Sequence, residues 1–374
     1  MLYNARMERE IENSAEISAN TIEPIEKKSR NCAFDIARIV AMFLIVCSHF
    51  LGHGGFIRNM TGANFVFGRI LTSLFNPSVN LFVLIGAYFT CTSKKLKWQR
   101  LAKLYAQVWI YGMTLFVVFL CIQGVESFSV EWLLSSIFPV VCGKYWFFSA
   151  YIFMMLVSPL LNIVIERIKK KDAPGNMRRV DRSRYTCRRR SHSPATCHGR
   201  RLQRHMVRYA VFYCRFHKKI RRDRSKKWIF IPILAYIATL VAGYFFNTAQ
   251  CSIVRSTPAI ILLIALKDVK TNSARLSKFV TGLSATMFGV YLIHDSNEMR
   301  AYMYRNIFHV DTFYDSKYSF LIMLGFAAAT FAVCIAIEEI RLLIDKPLSK
   351  VVEKYFLKLK DKMQKKNTNT EATE

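Results

Sequence analysis

The sequence lacks three things, and each lack closes off a class of protein. Its ten cysteines contain no C-x-x-C pair, so neither a redox dithiol nor the common zinc frameworks are written in it. Cys32, Cys47, Cys91, Cys121, Cys251 and Cys334 fall in or beside apolar runs, where cysteine acts as a small apolar residue, and no disulfide framework is expected. Acidic residues are scarce, 25 against 54 Lys and Arg, giving a net charge of +29. That balance suggests nucleic acid until the basic residues are located, and they lie between apolar runs rather than along a soluble face. Finally, the 52% hydrophobic content is not spread as a soluble core requires.

The apolar residues come in blocks: 33–51, 70–91, 104–123, 145–165, 228–246, 253–266, 279–294 and 319–340. Several reach the roughly 20 residues needed to cross a bilayer, and about eight spans are expected. The weakest is 253–266, which is short and contains Arg255 and Pro258. No small-residue cleavage site follows the first block, which reads as a retained anchor rather than a signal peptide. With segment 1–30 as a cytoplasmic tail, the cytoplasmic connections are Lys94–Lys103, Arg167–Lys227, Lys267–Lys278 and Arg341 onward. These carry nearly every basic cluster, while 52–69, 124–144, 247–252 and 295–318 carry few, as the positive-inside rule requires. The expectation is an all-α, polytopic membrane bundle in a plasma or inner membrane, both termini cytoplasmic and 351–374 a tail.

Segment 172–227 is chemically foreign to the rest. It holds 15 Arg, 4 Lys, three Asp, no Glu and one Leu, at position 202, whereas elsewhere Lys outnumbers Arg 22 to 13. Such a stretch cannot bury apolar surface or enter a bilayer, which describes a disordered basic cytoplasmic loop. The same swing in composition is what translation in a wrong frame produces, with the correct frame resuming near Lys226, Lys227 and Trp228. Cys187, Cys197, Cys214, His192, His198, His205 and His217 match no metal-ligand spacing, and basic arms without ordered aromatics are weak evidence for nucleic acid. No metal and no nucleic-acid partner is expected.

The first block, CAFDIARIVAMFLIVCSHF, places Asp35, Arg38 and His49 in otherwise apolar surroundings. Ionisable groups there are costly and are tolerated where they face a bundle interior or a watery cavity. Arg38 and His49 are eleven residues apart, so on a helix they return to within about 20° of one face and lie about 16 Å apart along the axis. Asp35, one turn earlier, can pair with the Arg38 guanidinium. Arg38 near the cytoplasmic entrance suits a phosphate-rich donor. The imidazole of His49, further in, suits proton removal from a hydroxyl. Taken singly, Arg38 also reads as a snorkelling anchor and His49 as a structural histidine.

The pattern Phe34-Asp35, Arg38-x10-His49 resembles the opening signature of the membrane-bound acyltransferase 3 family. PSVNLFVLIGAYF (77–89), YWFFSAYIFMMLVSPLLN (145–162) and SATMFGVYLIHDS (284–296) are similar to its later motifs, in order. The resemblance covers residues 31–171 and 228–350, the two halves of one acyltransferase domain, and is nearest to members that O-acetylate surface polysaccharides. It implies a ten-span bundle, acetyl-CoA (or another acyl-CoA) as donor substrate with no bound cofactor, a glycan acceptor, an essential His49 and a donor-holding Arg38. Gly86-Ala87 stands where the family usually has Ser-Gly, and the Arg-rich segment stands where two middle spans belong. Loss of an even number of spans leaves the flanking topology intact.

Lesser candidates are His294 and Tyr291, which end a span in GVYLIH, and Trp146, which reads first as an aromatic-belt residue and second as a sugar-stacking one. His53, followed by Gly54-Gly55, is expected in the exit loop, and Pro159 is expected to kink or break its span. The rival functions are a transporter or flippase with the same charges lining a path, and an inactive, frame-disrupted derivative of the enzyme.

Overall fold

The computed structural model describes residues 32–171 except 91, 92 and 94, and residues 253–344 except 267, 268 and 270–272, with single positions within 234–238 and 350–358. Segment 1–30, the Arg-rich stretch 172–227 and nearly all of the expected span 228–246 lie outside the described residues. Among the described residues there are only helices and turns. In chain order they are α1 (Cys32–Gly52), α2 (Phe56–Asn59), α3 (Gly62–Phe75), α4 (Pro77–Thr90), α5 (Trp98–Gln123), α6 (Val130–Ile137), α7 (Trp146–Lys171), α8 (Ile253–Leu266), α9 (Ala274–His294), α10 (Asn297–Tyr302) and α11 (Ser319–Ile344).

Among the described residues, six stretches are long and apolar enough to cross a bilayer: 32–59, 62–90, 98–123, 146–164, 274–294 and 319–344. The chain is a multi-pass helical membrane protein, and these six coincide with blocks read from sequence. The seventh, 253–266, is helical but only 14 residues long, short of the usual crossing length. The expected eight spans are therefore not established.

Helix α1 is the axis of the bundle and packs along α4, α9 and α11. Its sequence explains this. Ala33, Ala37 and Ala41 recur every four residues and are all buried, so backbones approach closely on that side, as small residues allow in membrane helices. With Phe34, Ala37 and Ala41 meet Leu81, Leu84 and Ile85 of α4 and Ala259 and Leu263 of α8. A second face, Met42, Ile45, Val46 and Phe50, belongs to the larger core with α7, α9 and α11. Ile36 and Val40 are exposed, as lipid-facing residues should be.

Helix α7 runs through Pro159 without a break. Proline at 159 cannot donate to the carbonyl of Met155, and the Ser158 hydroxyl supplies the missing donor at 3.1 Å. The expected break is thus averted by the preceding residue. Helices α1 and α9 run parallel: Asp35 accepts from Ser284, and His49 meets His294. Helix α11 runs back against α9, with Gly289 facing Glu338. Counting on from that contact, His294 lies beside the middle turns of α11 rather than at its end.

Candidate active site

Two chain reversals build the site. Helix α1 ends just after His49, whose carbonyl accepts from the amides of His53 and Gly54 at 2.7 and 3.0 Å. Helix α9 ends at His294, Asp295 occupies the turn, and Ser296 caps α10 by accepting from the Met299 amide. Two consecutive residues, His294 and Asp295, are thereby delivered to the same nitrogen of His49.

The ring nitrogens fix their own proton positions. His294 Nδ1 lies 2.6 Å from the carbonyl oxygen of Val290, which can only accept, so that nitrogen carries the hydrogen. In the neutral ring, His294 Nε2 is then a lone-pair acceptor, and His49 Nδ1, 3.1 Å away, must donate to it. The hydrogen of neutral His49 is thus committed to Nδ1, and its Nε2 carries the free lone pair. That is the tautomer a general base needs. Asp295 Oδ1 lies 3.4 Å from the same Nδ1, too long for a good hydrogen bond but close enough to stabilise an imidazolium.

Asp295 is itself buried, and burial holds its carboxyl above the ordinary range against the opposing pull of His294, Arg300 and His53. Arg300 NH1 lies 3.3 Å from Asp295 Oδ1 and 3.1 Å from His53 Nε2. His49, His53 and Asp295 bring ligand atoms within 4.8 Å of one another, close enough for a metal ion. Arg300 makes the trio a poor fit for one, because it engages His53 Nε2 and sets a fixed positive charge beside the carboxylate.

At the other end of α1, Asp35 and Arg38 are paired at 2.9 Å. Asp35 is 1% exposed and also accepts from Ser284 Oγ at 3.1 Å and Thr281 Oγ1 at 3.3 Å, so α9 holds the carboxylate that holds the guanidinium. The Arg38 guanidinium lies over the Phe89 ring of α4, 5.4 Å from its centroid. Arg38, through Asp35, and His49, through His294, both engage α9, eleven residues apart on one stripe of α1.

Tyr291 connects the histidines to the aromatic core. Its ring centroid is 6.5 Å from that of His294, 5.3 Å from Phe147 and 6.0 Å from Tyr145. Trp146 packs edge-on against Phe147 and is not brought to the histidines by any ring contact or hydrogen bond among the described residues. His53, expected in the exit loop, sits on the turn after α1, its ring centroid 5.0 Å from that of His49. Sequence reasoning assigned no role to Asp295 or Arg300, although a carboxylate directly after a span-ending histidine was a usable signal. It also passed over Glu338, which is 1% exposed and paired with Arg341 at 2.7 Å, repeating the i, i+3 pattern of Asp35 and Arg38.

Residues 32–173 match the acyltransferase 3 family model, described as an acyltransferase domain. Over that stretch the chain is similar to an acyltransferase 3 domain, the family that the Arg38-x10-His49 pattern resembles. No curated protein and no solved structure matches the chain significantly.

Proposed function

We propose that the protein moves an acetyl or other acyl group from acyl-CoA to a hydroxyl of a cell-surface or exported polysaccharide. The observation that carries this reading is the His49 tautomer: within a stretch that matches an acyltransferase domain, a largely buried imidazole has Nδ1 committed to a partner and Nε2 left as a base. In the reaction, the acceptor hydroxyl gives its proton to His49 Nε2 as its oxygen bonds to the thioester carbonyl carbon. The carbon–sulfur bond then breaks, and the CoA sulfur leaves with the proton that the imidazolium returns. Arg38, oriented by Asp35, grips the phosphates of the donor. Asp295 and Arg300 set the charge around the imidazolium.

The test is transfer of radiolabelled acetyl from acetyl-CoA to purified cell-surface glycan by the full-length protein in lipid nanodiscs. Incorporation of label that needs the protein supports the reading. Movement of the glycan across a bilayer with no label incorporated defeats it in favour of a flippase.

The Asp295→Asn variant separates charge from shape. His294 still sets the tautomer, so the base remains, but the imidazolium loses its nearest anion at 3.4 Å. Turnover should drop on the order of 10²-fold with little change in the KM for acetyl-CoA. A loss confined to KM for the donor contradicts this role.

A further inference from the structure

A cleft of about 540 Å³ opens between the end of α5, helix α6 and the start of α10, with Gln123, Trp132, Ser135, Lys144, Asn297 and Glu298 among its walls. An ion pair forms one side of it. Lys144 Nζ lies 2.9 Å from Glu298 Oε1, the side chains being 2% and 11% exposed, and Lys144 also donates to Ser136 Oγ at 2.9 Å. The indole Nε1 of Trp132 donates to the same Oε1. Both donors converge on one oxygen, and Glu298 Oε2 is buried with no hydrogen-bond partner. Native interiors rarely leave a charged acceptor in that state, and what this one lacks is a donor. Glu298 itself lines the cleft, and its Oε1 stays held by Lys144 and Trp132.

The cleft is also wired to the base. Asn297 Oδ1 accepts from Arg300, and Arg300 in turn reaches His53 and Asp295, the latter beside His49. Asn297 and Glu298, on the cleft wall, and Arg300, beside Asp295, therefore share short helix α10.

We propose that this cleft is the acceptor subsite and binds a pyranose ring of the glycan, a deepening that rests on the acyl-transfer reading above. A sugar offers what the walls lack: hydroxyl donors for Glu298 Oε2 and for Ser, Asn and Gln oxygens, and an apolar ring face for the Trp132 indole. An anionic ligand is disfavoured, because Lys144 is already paired and Glu131 and Glu298 both line the space.

The test is binding of the nanodisc-held protein to a printed array of surface oligosaccharides in the absence of acyl donor, followed by kinetics with any glycan bound. Wild type is expected to bind a subset of glycans. Trp132→Ala and Glu298→Gln should weaken that binding at least tenfold. Should Trp132→Ala fail to fold, Gln123→Trp, which fills the cleft from an exposed position, is expected to weaken binding in its place. In turnover, Glu298→Gln raises the acceptor KM and leaves the KM for acetyl-CoA unchanged. No binding by wild type to any glycan overturns the proposal, as does undiminished binding by Glu298→Gln and Gln123→Trp. The two failures separate: binding without transfer sinks the acyltransferase reading alone, and transfer with unchanged acceptor KM in the cleft variants sinks the cleft alone.

Discussion

In the His49→Ala variant, transfer from acetyl-CoA to the glycan is expected to fall by about 10²- to 10⁴-fold, the usual contribution of a positioned general base. The protein should remain folded and membrane-bound. Both halves follow from the surroundings of the ring. His49 makes one short side-chain contact, to His294 Nε2, and its side chain is 14% exposed, so truncation leaves a lone acceptor in a place that water can enter. The stability cost is then about 1 to 3 kcal/mol at most. His294→Ala is the informative comparison. It removes the acceptor that dictates the His49 tautomer but leaves Asp295 Oδ1 at 3.4 Å from the same Nδ1, so the proton retains a partner. Activity should fall less, by about 10- to 100-fold. Equal losses in the two variants would mean that the rings act as one unit. Persistent transfer in His49→Ala defeats the assignment of the base.

The helical class and the α1 stripe were legible because ionisable residues stand out against an apolar run and helical geometry fixes which of them share a face. Asp35, Arg38 and His49 needed nothing more. How they pair across the bundle is not legible, for the opposite reason. His294 is 245 residues from His49, and nothing local in either helix states that α1 and α9 are parallel neighbours in matched register. Asp295 read as the first residue of a loop, although the turn that ends α9 buries it. Glu338 is masked differently: it stands only three residues before Arg341, at the edge of the basic run that reads as a cytoplasmic tail. The ring that Trp146 meets, Phe147, is not legible either, because an aromatic at a span end carries no information about which neighbour it will pack on.

The largest stability effect is expected at Gly289. A Cβ there would collide with both Cδ and Oε2 of Glu338. A long side chain ordinarily swings away from such a clash at little cost, but this one is held. Glu338 accepts from Tyr111 Oη at 2.5 Å, Gln107 Nε2 at 2.9 Å, and Arg341 Nε and NH2 at 2.7 Å each, so α5 and α11 both fix it over the glycine of α9. Gly289→Ala therefore drives a buried carboxylate off its partners, an event that costs about 3–5 kcal/mol when a buried pair is broken. In detergent, Tm should drop by about 10 °C. Gly282→Ala on the same helix is the control. Nothing lies within 4 Å of a Cβ there, and the gain in helix propensity, up to about 1 kcal/mol, should leave Tm unchanged or slightly raised. The decisive measurement is the double-mutant cycle with Glu338→Ala. If the close approach is the cause, Gly289→Ala costs far less once the carboxylate is gone, and the two changes are strongly non-additive. Additive losses would show that alanine at 289 harms the helix for some other reason, and that Glu338 does not set the distance between α9 and α11.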